Sequence, residues 1–276
     1  IAVKVNGVQK DLSDSIEHDS EVSIITIDSE EGLEIMRHTL TAQVLARAVK
    51  NLYPESKLAI GPTIADGFYY DFDFKKAISP DDLTSIENEM RKIISNGSLI
   101  TKTLHSKAEA IGIFKAEGET YKESIIEESE QSDNFQLYSQ DNNDFVDLCR
   151  GPHLPSLKHI GAFKLTKLAG AYWKGNSNNK MLTRIYGTAW KNEKELNAYL
   201  LRIEEAEKRD HRKIGKEMNL FHFQEEAPGM VFWHPNGWTI YRILESFIRT
   251  KLEKYNYLEI KTPQVVDRKL WEASGH

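Results

Sequence analysis

The sequence predicts an α+β fold in which a long helix packs on an antiparallel sheet. Two observations carry this. Short apolar or aromatic stretches bounded by turn residues read as β-hairpin material, most clearly Ile60-Gly61-Pro62 and Asp66-Gly67 beside Phe68-Tyr69-Tyr70-Asp71-Phe72-Asp73-Phe74. A helical period occupies the stretch from about Leu33 to Leu52, where Leu33, Leu40, Val44, Leu45, Ala48, Val49 and Leu52 share one broad face.

Residues 1 to 27 alternate. Val3 and Val5 precede an Asn6-Gly7 turn, and Val22, Ile24 and Ile25 form a second strand, so this part reads as the last two strands of a small β module. Glu30-Glu31 lead into the long helix, which Pro54 ends. Thr39 and Gln43 stack one turn apart just outside its apolar face. Ser79-Pro80-Asp81-Asp82 opens a second helix reaching about Ile94, and a third runs from about Lys107 to Ala116. An acidic, polar loop is expected from Glu127 to Asp144. Strands return at Phe145-Val146-Asp147, Phe163-Lys164-Leu165, Ala171-Tyr172-Trp173 and Met181 to Tyr186. One long, doubly charged helix is expected from Lys194 to about Met218. Residues 220 to 276 form a distinct block, with a helix from about Trp238 to Tyr255 and a strand from Leu258 to Ile260 stopping at Pro263.

The totals bound the class. At 276 residues the chain has room for about two domains, and 40% hydrophobic with 28% charged residues is ordinary for a soluble globular protein. No apolar run approaches the roughly 20 residues that span a bilayer, so no membrane partner is expected. One cysteine excludes an intramolecular disulfide and suits a reducing, cytoplasmic setting. A net charge of -6 does not advertise a nucleic-acid binder, although local patches rather than totals meet phosphates. The ends, at Ile1 and at Trp271-Glu272-Ala273-Ser274-Gly275-His276, read as cuts from a longer protein.

Chemistry concentrates in Asp147-Leu148-Cys149-Arg150-Gly151-Pro152-His153. Gly151-Pro152 supply a tight turn that lets the thiol of Cys149 and the imidazole of His153 converge. Asp147, two residues before the cysteine, points the same way on a strand. The bland alternative is a small buried thiol with no chemistry.

These residues, with Ile60-Gly61-Pro62, Gly67-Phe68-Tyr69-Tyr70-Asp71, Ala169-Gly170-Ala171-Tyr172-Trp173 and Ser177-Asn178-Asn179-Lys180-Met181-Leu182, resemble the editing domain of bacterial threonyl-tRNA synthetases. Arg184-Ile185-Tyr186-Gly187-Thr188-Ala189-Trp190 continues the match. Lys208-Arg209-Asp210-His211-Arg212-Lys213-Ile214-Gly215 resembles that family's linker helix, and Glu225-Glu226-Ala227-Pro228-Gly229-Met230 its entry to a class II catalytic core. The resemblance implies four parts: 1–29 the end of a ubiquitin-like (TGS) module, 30–192 the editing domain, 193–219 the linker and 220–276 the core through motif 1. It implies hydrolysis of tRNA(Thr) wrongly charged with serine, the acceptor end with its seryl ester being the partner. For a full-length enzyme it implies threonine–tRNA ligation using ATP, Mg and a catalytic-core zinc, and a homodimer through the core. The fragment itself is expected to need no cofactor and not to aminoacylate.

By the same resemblance His38, Lys122, Cys149 and His153 are catalytic candidates, while Thr39, Gln43, Tyr70 and Asp147 bind substrate. Lys122 could hold an oxyanion or orient water, and Asp147 could bind the seryl ammonium. Lys208, Arg209, Arg212 and Lys213 could touch tRNA phosphates, the alternative being a solvated, salt-bridged helix. His105, His159, His211, His222 and His234 read as surface or linker residues. The family builds its site from His-x-x-x-His on a helix and Cys-x-x-x-His on a loop. Counted back from Leu52-Tyr53-Pro54, the first pair falls on Thr39 and Gln43, with His38 one residue upstream, as if this helix start carried an extra residue. Two readings stay open: His38 turns toward the apolar face, or the helix starts after it and His38 reaches the cleft from a turn. Threonine and glutamine cannot take a proton near pH 7, so a tRNA-binding module with weakened hydrolysis is the alternative function. Gln43 in place of a ligand also argues against a metal at Cys149 and His153.

Overall fold

A computed structural model of the chain describes residues 1–141, 144–263 and 265–275. They form two units, 1–200 and 201–276. The first opens with β1 (Ala2–Val5), β2 (Val8–Lys10) and β3 (Val22–Ile25), an antiparallel sheet in the order β2-β1-β3. The sequence expected two strands. Asn6 and Gly7, both at positive φ, turn the chain so tightly that three residues pair back on β1, too few to register as alternation.

The Ser29 hydroxyl then caps the long helix, accepting from the Gly32 amide at 3.0 Å. The helix has three parts: α1 (Glu30–Thr39), a π turn (Leu40–Leu45) and α2 (Ala46–Leu52). A π turn closes its ring one residue later than an α turn, so it takes in an additional residue while both flanks stay helical. Ile35, Met36, Leu40, Val44, Leu45 and Val49 are buried along its inner face.

Next come β4 (Lys57–Leu58), β5 (Thr63–Ile64), β6 (Gly67–Asp73), α3 (Asp82–Asn96), β7 (Ile100–His105), α4 (Lys107–Glu117), α5 (Thr120–Glu128), β8 (Phe135–Gln140) and β9 (Phe145–Leu148). The hairpin β10 (Ala162–Tyr172) and β11 (Met181–Trp190) ends the set. An antiparallel sheet in the order β10-β11-β6-β4, with β5 also on β6, receives the long helix. Phe68 and Phe72 of β6, Ile185 of β11, Phe163 of β10 and Met90 of α3 join the helix residues in one buried cluster. Each such side chain contributes about 1.5–3 kcal/mol by burial.

A second antiparallel sheet, β7-β8-β9, carries α4 and α5 on a smaller core of Ala110, Phe114, Ile126, Phe135 and Leu137. The sequence assigned much of this region to an acidic loop. Strand β8 escaped notice because Ser139 and Gln140 are buried although polar. Asn142 and Asn143 of that expected loop lie outside the described residues. Strand β10 is likewise one strand with an irregularity between Leu165 and Lys167, where two were expected.

The charged helix expected from 194 to 218 is two, α6 (Glu193–Lys208) and α7 (His211–Glu217). Asp210 divides them, its carboxylate accepting from the Arg212 amide at 2.8 Å. In the second unit β12 (Phe221–His222) pairs with β13 (Phe232–Trp233), and α8 (Pro235–Lys254) and α9 (Arg268–Ser274) follow. The strand expected at Leu258 to Ile260 does not form, because among the described residues nothing pairs with it. No helix among them is long and apolar enough to cross a membrane.

Glu119, buried just before α5, accepts from the Leu58 amide and from Lys50 Nζ, both at 2.7 Å. Glu119→Ala leaves the Leu58 amide buried and unpaired, so it is expected to cost about 2–4 kcal/mol in urea unfolding. A loss below ~0.5 kcal/mol contradicts this tie.

Candidate active site

The loop after β9 runs toward the start of the π turn. Gly151 sits at φ 62°, and a Cβ there would stand 1.9 Å from the Tyr138 hydroxyl oxygen, so this position requires glycine. The Gly151-Pro152 bond is cis. The resulting turn brings Cys149 and His153 to one side of α1.

His38 meets them there. Its Nε2 lies 2.7 Å from Cys149 Sγ, and its ring stacks on that of His153 with centroids 4.6 Å apart at 22°. Neither reading of His38 left open by the sequence describes this. The helix begins at Glu30, before His38, and His38 faces the loop rather than the apolar core. A uniform 3.6-residue period, counted back through the π turn, misphases everything before it by one residue, about 100°.

Thr39 and Gln43 have other partners. Both are fully buried, and neither lines the cavity beside His38. Thr39 Oγ1 stands 3.1 Å from His153 Nδ1 and accepts from the Leu154 amide at 2.9 Å, holding the loop to the helix. The Gln43 side chain turns to β8: its Nε2 donates to the Tyr138 carbonyl at 3.5 Å and its Oε1 accepts from Gln140 at 3.3 Å.

A cavity of about 590 Å³ opens beside His38 and Cys149, with Tyr70, Lys122 and Asp147 in its wall. Lys122 Nζ lies 2.6 Å from Asp147 Oδ1, and the Tyr70 hydroxyl donates to Asp147 Oδ2 at 3.1 Å. The Leu148 amide adds a third bond to that carboxylate. Arg150 and Lys174 contribute further cations to the lining, Lys174 being ion-paired with Glu128. His153 lies behind this wall, with Nε2 buried and unpartnered.

Burial sets the protonation states. It holds the His38 imidazole below the ordinary histidine range, against the pull of Asp147, Glu34 and Asp11. Burial likewise lowers His153, with Cys149 opposing. It pushes the Asp147 carboxyl up, while Lys122, Tyr70 and the Leu148 amide pull it back. The Tyr70 phenol is raised well above its usual value by burial and then by Asp147, so it remains a donor. Two neutral imidazoles thus stand beside a thiol and a buried ammonium–carboxylate pair.

The sequence expected no metal here. His38, Cys149 and His153 nevertheless place one ligand atom each within 4.8 Å of one another, donor types that zinc accepts. Gln43 adds no fourth donor, since its amide is engaged with β8.

The four basic residues assigned to tRNA contact lie outside this group. Lys208, Arg209, Arg212 and Lys213 are exposed; Lys208 pairs with Glu204 and Glu205, Arg209 with Glu205 and Arg212 with Asp210. Two residues not singled out by sequence buttress His153: the Tyr138 ring meets it edge-on at 4.3 Å, and Asp11 accepts from its amide at 2.9 Å. A single aspartate after a three-residue strand carries no signal of a partner 142 positions away.

A thiol and two imidazoles thus gather beside a cavity on this α+β frame, and residues 136–186 of the same region match the profile described as the threonyl and alanyl tRNA synthetase second additional domain. Along its whole length the chain is similar to part of threonine–tRNA ligases. It is 55% identical to that of Hahella chejuensis, 52% to that of Prochlorococcus marinus and 55% to that of Legionella pneumophila, each over all 276 residues. It spans 43% of the length of each.

Histidine resonances test the electrostatics. Because burial disfavours the charged form, His38 and His153 are expected to stay neutral as pH falls through about 6.5 and to protonate only below it. Imidazole NMR titration checks this; a midpoint at or above 6.5 for either ring contradicts it.

Proposed function

We propose that this chain hydrolyses the seryl ester of mischarged tRNA(Thr) and belongs, in the full-length protein, to a threonine–tRNA ligase. The observation that carries the reading is the 2.7 Å contact between His38 Nε2 and Cys149 Sγ at the edge of the cavity. It also favours hydrolysis over a binding module, because a group able to take a proton stands where the sequence pattern counted only Thr39 and Gln43.

The need for such a site is physical. Serine lacks one methyl of threonine, a difference worth about 1–3 kcal/mol in a binding pocket, so a second, hydrolytic sieve is required. In the proposed reaction a water attacks the ester carbonyl, and its proton passes to the His38–Cys149 pair. The carbon–oxygen bond to the ribose breaks, and the same proton is returned to the departing ribose oxygen, leaving serine and an uncharged tRNA end. Lys122 stabilises the oxyanion, and Asp147 both holds Lys122 and supplies negative charge for the seryl ammonium. Thr39 and His153 act from behind, by fixing the loop. Arg150 and Lys174 are proposed to meet phosphates of the acceptor end, with Lys208, Arg209, Arg212 and Lys213 serving the tRNA elsewhere.

ATP, Mg and a catalytic-core zinc are proposed for the full-length ligase alone, as is a homodimer through the block after residue 220. There Ile243, Leu244 and Phe247 of α8 are exposed. The cytoplasm is the proposed setting.

Single-turnover deacylation tests the reading. The chain is expected to clear Ser-tRNA(Thr) much faster than Thr-tRNA(Thr), with His38→Ala slowing it by about 10²–10³. The rate should fall below pH 6.5 as the neutral imidazoles protonate, and a zinc chelator should leave it within about twofold. Failure to deacylate, together with failure to bind tRNA(Thr) or a seryl-adenosine analogue, would overturn it.

A further inference from the structure

Asp11 lies just after β2, in the N-terminal β module, and is 8% exposed. Three donors converge on its carboxylate. Oδ1 accepts from the His153 amide at 2.9 Å, and Oδ2 accepts from the Tyr138 hydroxyl at 2.7 Å and from Lys102 Nζ at 3.1 Å. The Asp11 amide is itself tied to Asp14 Oδ2 at 3.2 Å. Two of the three donors bear on one imidazole: the first is His153's own backbone, and the second belongs to the ring packed edge-on against it.

The loop from Cys149 to Leu154 is fastened at three points. Its first residue donates from its amide to the Gln136 carbonyl on β8 at 3.2 Å, and Leu154 donates to Thr39 on the helix. The bond between them, at His153, comes from Asp11. His153 stacks on His38, and His38 reaches Cys149. A shift at Asp11 therefore passes through one imidazole to the thiol–imidazole contact.

We propose that Asp11 is a positioning residue of the hydrolytic site, by which the N-terminal β module sets the place of His153 and, through its ring, of His38. This rests on the deacylase reading for its effect on rate. Its effect on the His153 ring is independent of that reading. A charge-assisted bond to a backbone amide is directional, and displacement of a catalytic group by an ångström can cost about a hundredfold.

The test compares Asp11→Ala, Asp11→Asn and Lys102→Ala in the 276-residue chain. Lys102→Ala removes the ion pairs with Asp11 and Asp14 but leaves the bonds to His153 and Tyr138 intact, so it is the control for a merely structural role. Two readouts are taken: single-turnover deacylation of Ser-tRNA(Thr) against enzyme concentration, and the imidazole Cε1–H resonance of His153. Asp11→Ala is expected to lower the rate at saturation by about tenfold to a hundredfold, with the half-saturating concentration within about threefold. It should also shift or broaden the His153 resonance. Asp11→Asn, which keeps an acceptor for the His153 amide, should recover most of both, and stands in if Asp11→Ala does not fold. Lys102→Ala should leave both near wild type. Combined with His153→Ala, Asp11→Ala should add less than about threefold. An unchanged His153 resonance in Asp11→Ala, or Lys102→Ala falling as far as Asp11→Ala, overturns the proposal. A wild-type chain that fails to deacylate sinks the deacylase reading, while the His153 resonance still decides the role of Asp11.

Discussion

The widened turn at Leu40–Leu45 is the constraint on which the rest of the site depends. A helix that closes one ring a residue late absorbs that residue without rotating the segments on either side. Here the segment before the turn keeps His38 against Cys149, and the segment after it keeps Val49 in the core. The turn itself faces β8 rather than solvent. Gln140 donates to the Gln43 carbonyl at 2.5 Å and to its side chain at 3.3 Å, so backbone and side-chain polar groups of the turn are paired inside the protein.

Burial then decides what the gathered groups can do. A site open to water would leave its imidazoles partly charged at neutral pH. Burial keeps His38 and His153 neutral, and therefore able to accept a proton. The same desolvation would be ruinous for a lone ammonium, but Lys122 meets Asp147 at 2.6 Å, and Asp147 in turn has Tyr70 and the Leu148 amide. Base and cation are separated by environment as much as by distance. That separation is what the proposed ester hydrolysis asks of its site.

Much of this was legible from residue types. The turn residues and the aromatic run marked β6, the Gly151-Pro152 pair marked the loop that joins Cys149 to His153, and the apolar stripe marked the long helix. What stayed hidden was hidden for stated reasons. Periodicity assumes one pitch, so a π turn shifts His38 by one position on the wheel and sends it to the wrong face. Strand β8 buries Ser139 and Gln140, which polarity alone assigns to solvent. Helix α6 ends where Asp210 finds an amide to cap, a choice between two helical arrangements of similar composition. Asp11 could not be read at all, because its partners are brought to it by the tertiary fold.

The register of the long helix is open to one direct measurement. Deleting Ala42 places Gln43 four residues after His38, the spacing of the His-x-x-x-His pattern, and lets the widened turn relax to a regular α turn. If that turn has simply taken in one residue, the deletion leaves His38 opposite Cys149, and single-turnover deacylation of Ser-tRNA(Thr) stays within about tenfold of the parent chain. A deleted chain that keeps its circular dichroism yet loses as much rate as one lacking the His38 imidazole would contradict the account.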